Sequence, residues 1–238
     1  MADTSQQQAE PQPPDTAAPF STESVLARLG RRLELEETSR VLEFRVRGPS
    51  LAVLLARDLG CRITVADPSP AVLEQVQLEA DAAGVLSRLT LLALAGEAPS
   101  LPEAAFELAI SGERARALAP LAGLLRPALV PSHGRLVAVV AARVGLGTRD
   151  LGAWERAFGQ PLRSPQAELA ELLRSGFEPE WAEALSEPQL VQLYGAQPGP
   201  PEEEAALVQL GPAGLSFVLV AARRREPGEA PPPARDRG

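Results

Sequence analysis

The stretch that decides the fold spans residues 39–60, SRVLEFRVRGPSLAVLLARDLG. An apolar run, a break and then apolar residues at helical spacing predict a strand, a tight turn and a helix. This order is typical of the first unit of a nucleotide-binding α/β domain, where glycines in the turn let the backbone approach the ligand. Here the turn holds Arg45, Val46, Arg47, Gly48 and Pro49, so only one glycine is present.

Further strands and helices alternate along the rest of the chain. Strands are predicted at residues 40–46, 62–66, 89–95, 106–111, 135–144, 177–184 and 215–222. Helices are predicted at residues 21–36, 50–59, 69–83, 113–125, 164–176, 186–194 and 201–210. Ser69-Pro70 and Ser164-Pro165 have the residue types that begin helices, and Gly84 has the type that ends one. The alternation predicts an α/β fold with a mainly parallel sheet covered by helices on both faces.

Composition restricts the class of partner and the compartment. The 238 residues carry a formal net charge of −8, which argues against a nucleic-acid binder. The single Cys61 excludes an internal disulfide and fits a reducing, cytoplasmic location. The longest apolar run, residues 136–142, is too short to span a membrane, and the N-terminus does not resemble a signal peptide. No membrane partner is therefore expected.

The two ends of the chain differ from its middle. Residues 1–19 are rich in Gln, Pro and Ala, and residues 226–238 read EPGEAPPPARDRG. Such segments lack the apolar residues needed to form a core, so both are expected to be disordered tails. The predicted domain organisation is one folded domain at residues 20–225 between these tails.

The order and spacing of the segments resemble the class I S-adenosylmethionine-dependent methyltransferases, in the small-molecule, type 11-like branch. The resemblance covers residues 26–224 and rests on RLELEETSRVLEF, LAVLLARDLGCRITVADPSPAVLEQ, AAGVLSRLTLL, FELAIS, GRLVAVV, ELAELLRSGFEPEWAEALSE and LSFVLVAARR. It implies a Rossmann-like, seven-stranded, mostly parallel sheet whose antiparallel last strand lies between the fifth and sixth. It also implies a transferase that uses S-adenosylmethionine and a small-molecule acceptor.

The resemblance assigns cofactor contacts to particular positions of this chain. Glu43 matches the acidic residue that ends the first strand, and Asp67 matches the carboxylate that takes the ribose hydroxyls. Gly48 matches one turn glycine if the turn is slid by one residue. The acidic residue expected after the third strand falls on Ala95, with Glu97 as its substitute if the loop shifts. Ser111, at the end of FELAIS, completes the expected cofactor-binding set.

The same comparison shows a degenerate glycine-rich turn. Arg45, Arg47 and Pro49 stand where the three glycines are expected, and they add side chains or remove an amide where the ligand must lie close. An arginine also places a cation beside a sulfonium. Either arginine could pair with Asp67 and fill the pocket, or both could be exposed to solvent.

Three functional hypotheses follow from these residues. The first is a methyltransferase-like pseudoenzyme of low or no activity that acts as a binding or regulatory module for a protein partner. The second is an active methyltransferase acting on a small molecule. The third is a protein of the same fold that binds another, anionic ligand through Arg45 and Arg47.

The remaining chemically distinctive residues give weaker indications. His133 lies in a polar loop before a strand and is expected to be a loop residue. One histidine and one cysteine cannot form a standard structural zinc site. Four aromatic residues in the C-terminal third could line an acceptor pocket, but core packing is the favoured interpretation; they are Trp154, Phe158, Trp181 and Tyr194.

Overall fold

The computed structural model describes residue 33 and residues 35–46, 50–95, 100–115, 117–144, 151–186, 201–210, 214–226 and 228. Its strands are β1 (Arg40–Phe44), β2 (Arg62–Asp67), β3 (Leu89–Ala93), β4 (Leu108–Ala115), β5 (Arg135–Arg143), β6 (Phe177–Ala184) and β7 (Leu215–Arg224). Its helices are α1 (Leu51–Leu59), α2 (Pro70–Ala82), α3 (Leu118–Leu125), α4 (Gly152–Phe158), α5 (Pro165–Arg174) and α6 (Pro201–Leu210). Short 3-10 turns occupy Leu86–Arg88 and Arg126–Ala128.

The seven strands form one sheet in the order β3-β2-β1-β4-β5-β7-β6. Strands β1 to β5 pair in parallel, and β7 runs antiparallel between β5 and β6. The sequence-based fold prediction is therefore confirmed, including the insertion of the last strand between the fifth and sixth. The strand order reverses beside β1, which places the usual ligand crevice of an open α/β sheet at the carboxyl ends of β1 and β4.

Alternating residues of the strands are buried in two separate cores, one on each face of the sheet. Val41, Ile63 and Val65 pack against α1 and α2. Leu42, Phe44 and Ala66 point to the other face, in a cluster that also contains residues of α3 and α5. A third cluster joins α4 and α6 to β7 through Trp154, Phe158 and Phe217.

Local sequence signals placed several helix ends correctly. Ser69 Oγ accepts a hydrogen bond from the Val72 amide at 3.4 Å, and Ser164 Oγ accepts one from the Ala167 amide at 3.2 Å. Pro follows each serine at the first position of the helix. After α2 the chain turns at Gly84, whose φ of +70° is in the left-handed region that glycine allows.

The largest boundary errors fall between the fourth strand and the next helix. The fourth strand was predicted at residues 106–111 and the next helix at 113–125, but β4 reaches Ala115 and α3 begins only at Leu118. Arg114 and Ala115 pair with Val139 and Val140 of β5 after a register shift. This long-range pairing overrides the local helical pattern. The predicted helices at residues 21–36 and 186–194 fall almost entirely outside the described residues.

Candidate functional site

The described residues of the predicted cofactor set lie at the carboxyl edge of the parallel strands. Phe44 at the end of β1 lies in register with Ala66 of β2 on one side and with Ser111 of β4 on the other. Asp67 is the last residue of β2 and directly follows Ala66. The fold thus brings Glu43, Asp67 and Ser111 to one region of the sheet.

Asp67 is bonded by backbone amides on both of its carboxylate oxygens. Oδ2 accepts from the amide of Val46 at 2.9 Å, and Oδ1 accepts from the amide of Ser69 at 2.8 Å. The second bond spans two residues and forms the local turn that aspartate favours. Asp67 is only 4% exposed. Its carboxylate therefore ties the turn after β1 to the turn after β2.

The turn after β1 keeps an unusual backbone conformation at Arg45. The φ angle of Arg45 is +54°, in the left-handed region where glycine is normally found. Its amide donates to the Ala66 carbonyl at 2.8 Å, and its guanidinium carbon lies 5.4 Å from the ring centroid of Phe44. The backbone thus has the conformation expected of the first turn glycine, while the side chain is a long cation.

Glu43 is 3% exposed and its carboxylate binds the beginning of α1. Oε2 accepts from the Ser50 hydroxyl and the Ala52 amide, both at 2.9 Å, and Oε1 accepts from the Leu51 amide at 3.1 Å. An anion at a helix N-terminus is favourable because unpaired amides and the helix dipole both face it. Burial nevertheless raises the pKa of the Glu43 carboxyl, despite the opposing effect of these hydrogen bonds.

The other predicted contacts are only partly described. Ser111 lies within β4 and is 7% exposed. Gly48 and Glu97 lie outside the described residues, as does Arg47, so the predicted pairing of Arg47 with Asp67 stays a prediction. Sequence reasoning missed the amides of Val46 and Ser69 as partners of Asp67. The Asp-Pro-Ser sequence after β2 contains the signal for the second of these bonds.

The histidine and the aromatic residues that gave weaker indications in the sequence lie largely where we expected them. His133 is an exposed turn residue just before β5, at the opposite edge of the sheet from Asp67. Trp154 and Phe158 are buried and stack at 6.1 Å between ring centroids, and Phe158 meets Phe217 edge-on at 6.2 Å. The packing interpretation is therefore confirmed for Trp154 and Phe158, and half-buried Trp181 packs against the first core. Tyr194 lies outside the described residues.

The described residues offer neither a cluster of metal ligands nor a membrane-spanning helix. Within the part of the chain that the structure describes, three or more His, Cys, Asp or Glu side chains never come together in a way that could hold a metal ion. None of the helices in that same part has both the length and the apolar character needed to cross a membrane.

Comparison with known proteins gives similarity in structure and not in sequence. No family model matches the sequence, and no curated protein matches it at a significant level. Among solved structures, the [4+2]-cyclase SpnF has a TM-score of 0.67 at 18% identity, covering 85% of this chain and 81% of that one. Geranyl diphosphate C-methyltransferase from Streptomyces coelicolor A3(2), solved with Mg²⁺, geranyl diphosphate and S-adenosyl-L-homocysteine, has a TM-score of 0.66 at 15% identity, covering 85% and 77%.

A third similar structure is named directly for the cofactor. A SAM-dependent methyltransferase from Geobacter sulfurreducens, solved with S-adenosyl-L-homocysteine, has a TM-score of 0.64 at 19% identity, covering 84% of this chain and 90% of that one. At such low identities the similarity shows the fold and leaves the reaction open. Together with the strand order and the antiparallel seventh strand, it shows that this chain has the Rossmann-like fold of the class I S-adenosylmethionine-dependent methyltransferases.

Proposed function

We propose that this chain is a methyltransferase-fold protein that binds S-adenosylmethionine weakly or not at all and acts as a binding or regulatory module. The observation that carries the proposal is the state of Asp67. Its carboxylate is buried and both of its oxygens accept backbone amides. A carboxylate has about four acceptor positions, of which the two amides use two, so it is the burial of the side chain, only 4% exposed, that argues against a ribose at Asp67.

Two further contacts support the same interpretation. Glu43 uses both oxygens to bind the first turn of α1, which leaves it in a structural role. Arg45 adds a guanidinium at the turn position where the resemblance implies a glycine beside the methionine part of the ligand. A sulfonium is positive, so a nearby guanidinium repels it. Glu43 thus binds the start of α1, and Asp67 binds the two turns.

The fold by itself does not require methyl transfer. One protein with this fold is a [4+2]-cyclase, and others are methyltransferases solved with S-adenosyl-L-homocysteine. A shared fold supports different activities because the activity depends on the side chains at the site. The partner of a binding module of this kind is a protein or a small molecule, and we place its action in the cytoplasm.

Titration calorimetry of the full chain with S-adenosyl-L-homocysteine and with S-adenosylmethionine tests the proposal. We expect no measurable heat of binding. A micromolar or tighter dissociation constant would overturn it and favour an active methyltransferase that uses Asp67. The Asp67→Ala variant is then the control. It must abolish binding that is specific to this site, and any heat of binding that remains in the variant arises elsewhere on the protein.

A triple glycine substitution tests the physical cause. Arg45→Gly, Arg47→Gly and Pro49→Gly together should raise cofactor affinity, because they remove the cationic side chains and restore a backbone that approaches the ligand. The matched control is Arg57→Gly on the exposed side of α1, which removes a charge and adds a glycine elsewhere. Equal affinity in the triple variant and the control would show that the turn is not the cause.

A further inference from the structure

A groove of about 650 Å³ lies at the opposite edge of the sheet from Asp67. It is formed where β1, β2 and β3 begin, together with the 3-10 turn before β3. Such a volume is within the range of small-molecule sites. The residues that line it are Glu37, Arg40, Arg62, Ile63, Thr64, Ser87, Arg88, Thr90, Pro102, Ala105 and Phe106.

In the part of the chain that the structure describes, no helix separates β3 from β4 in sequence. Among the described residues between β3 and β4, which are 94, 95 and 100–107, none is helical. Thr64 of β2 and Thr90 of β3 lie in register on this face. Thr64 is half-buried and Thr90 is exposed, although strands of a parallel sheet covered on both faces are normally apolar. Two hydroxyls are therefore presented side by side in the groove.

Three arginines from different elements meet at this groove. Arg40 and Arg62 are the first residues of β1 and β2 and are partners in the parallel register, so their side chains leave the same face of adjacent strands. Arg88 ends the 3-10 turn. Because like charges on neighbouring strands repel each other, Arg40 and Arg62 favour an anion placed between or beside them. Among the described residues that line the groove, Glu37 is the only acid, in a chain whose net charge is −8.

Two of these arginines are held in place and the third is not. Arg40 pairs with Glu107 at 2.8 Å, and Arg88 pairs with Glu37 at 2.8 Å and also donates to the Gly60 carbonyl. Within the described ranges, the Arg62 guanidinium has no hydrogen bond. The hydrogen bond and charge of Arg88, together with the charge of Arg62, lower the pKa of Glu37. The groove is thus electropositive, and one guanidinium remains available to a ligand.

We propose that this groove binds a small phosphomonoester that carries an apolar group. Its phosphate binds the Arg62 guanidinium, whose planar donors match the geometry of phosphate oxygens, and Arg88, which stays paired with Glu37, offsets the charge of that carboxylate. The hydroxyls of Thr64 and Thr90 donate to the remaining oxygens. The apolar group lies against Pro102 and Ala105 on the other wall. This site is separate from Asp67 and does not depend on the proposed function.

The proposal is tested with phenyl phosphate and the full chain, by titration calorimetry and by amide chemical shifts. We expect binding in the submillimolar range, with shifts concentrated at Thr64, Ser87 and Thr90. Arg62→Gln should weaken binding by about tenfold, because it removes one charge-assisted pair. No binding up to about 10 mM, or shifts concentrated around Val46 and Asp67, would overturn the proposal.

Matched variants distinguish specific binding of the phosphate in the groove from a general effect of the protein's charge. Arg57→Gln removes the same charge from an exposed position on α1 and should change the affinity by less than about twofold. Thr90→Val keeps the shape and strand preference of an exposed residue but removes its hydroxyl, so it should weaken binding while leaving the melting temperature unchanged. Equal losses in Arg57→Gln and Arg62→Gln would contradict a specific site.

A second probe tests the apolar part of the ligand. Inorganic phosphate should bind at least about tenfold more weakly than phenyl phosphate, since it makes no contact with Pro102 or Ala105. Equal affinities for the two would overturn the assignment of an apolar group. Loss of phenyl phosphate binding in Arg45→Gly but not in Arg62→Gln would place the anion at the carboxyl edge and overturn the proposal.

Discussion

The Asp67 carboxylate and the Val46 amide join two turns that are 21 residues apart in sequence, through a buried hydrogen bond of 2.9 Å. The same carboxylate bonds the Ser69 amide just before α2. One side chain therefore fixes both turns at the carboxyl edge of β1 and β2. Its structural contribution can be measured without any cofactor.

Replacement of Asp67 by alanine should lower the free energy of unfolding by about 2–3 kcal/mol, because the buried Val46 amide and the Ser69 amide lose their acceptor. Asp67→Asn keeps one oxygen and should cost less. Chemical denaturation measures both. The control is Asp81→Ala at an exposed position near the end of α2, which should change stability by less than about 0.5 kcal/mol. A cost for Asp67→Ala as small as that of the control would show that the turns do not need this carboxylate.

Because the backbone of Arg45 is left-handed, we expect an unusual order of stability among variants at this position. Arg45→Val should be less stable than Arg45→Gly by about 1 kcal/mol or more, because a β-branched side chain is strained at φ of +54°. Thermal unfolding of the two variants measures the difference.

The helical position Arg57 is the matched control for that comparison. At this position Arg57→Gly should be less stable than Arg57→Val by a few tenths of a kcal/mol, since glycine has the lower helix propensity. The same order at both positions would mean that the backbone at Arg45 relaxes out of the left-handed region.

Glu43 should make stability depend on pH with a definite sign. Burial raises the pKa of its carboxyl in the folded protein above the ordinary value of 4.5. The folded state then binds more protons than the unfolded state above that pH, so this group's contribution to stability decreases as pH rises. Glu43→Gln lacks this titration. The stability of the Glu43→Gln variant relative to the wild type should therefore improve as pH rises above about 4.5. Chemical denaturation over a pH series measures this difference.

A matched variant is needed because glutamine also alters the hydrogen bonds to α1. Glu74→Gln removes one carboxylate from an exposed position on α2 and accounts for the change in net charge. A stability difference between Glu43→Gln and the wild type that moves the other way with pH would show that the amides of Leu51 and Ala52 outweigh burial.

Gly134 and Gly123 should respond in opposite ways to alanine. A Cβ at Gly134 would lie 2.5 Å from the Val130 carbonyl oxygen, so the backbone must move, and we expect a loss of about 2 kcal/mol or more. A Cβ at Gly123, inside α3, would meet nothing within 4 Å. Gly123→Ala should therefore stabilise the protein by up to about 1 kcal/mol through helix propensity. Denaturation of both variants checks the pair, and a neutral Gly134→Ala would contradict the close approach.

The sequence by itself determined the order of the seven strands and the beginnings of α2 and α5, but it did not predict α4. These features depend on neighbouring residues: the apolar period of each segment and the Ser-Pro pairs whose hydroxyls bond amides three residues ahead. The sequence also indicated that the turn after β1 has one glycine where the family resemblance implies three. It could not show that Arg45 keeps the backbone conformation of one, because that depends on how the turn is held.

Tertiary structure decided the roles of the carboxylates and the extent of β4. Glu43 and Asp67 were both predicted as ligand contacts, yet each binds backbone amides, and most of those amides come near only when β1, α1 and β2 pack together. Pairing with β5 likewise lengthened β4 into residues with a helical pattern. The groove lined by Arg40, Arg62 and Arg88 arises only when parallel pairing places strand starts 22 residues apart side by side. Contacts of this kind depend on distance in space, which local sequence patterns do not encode.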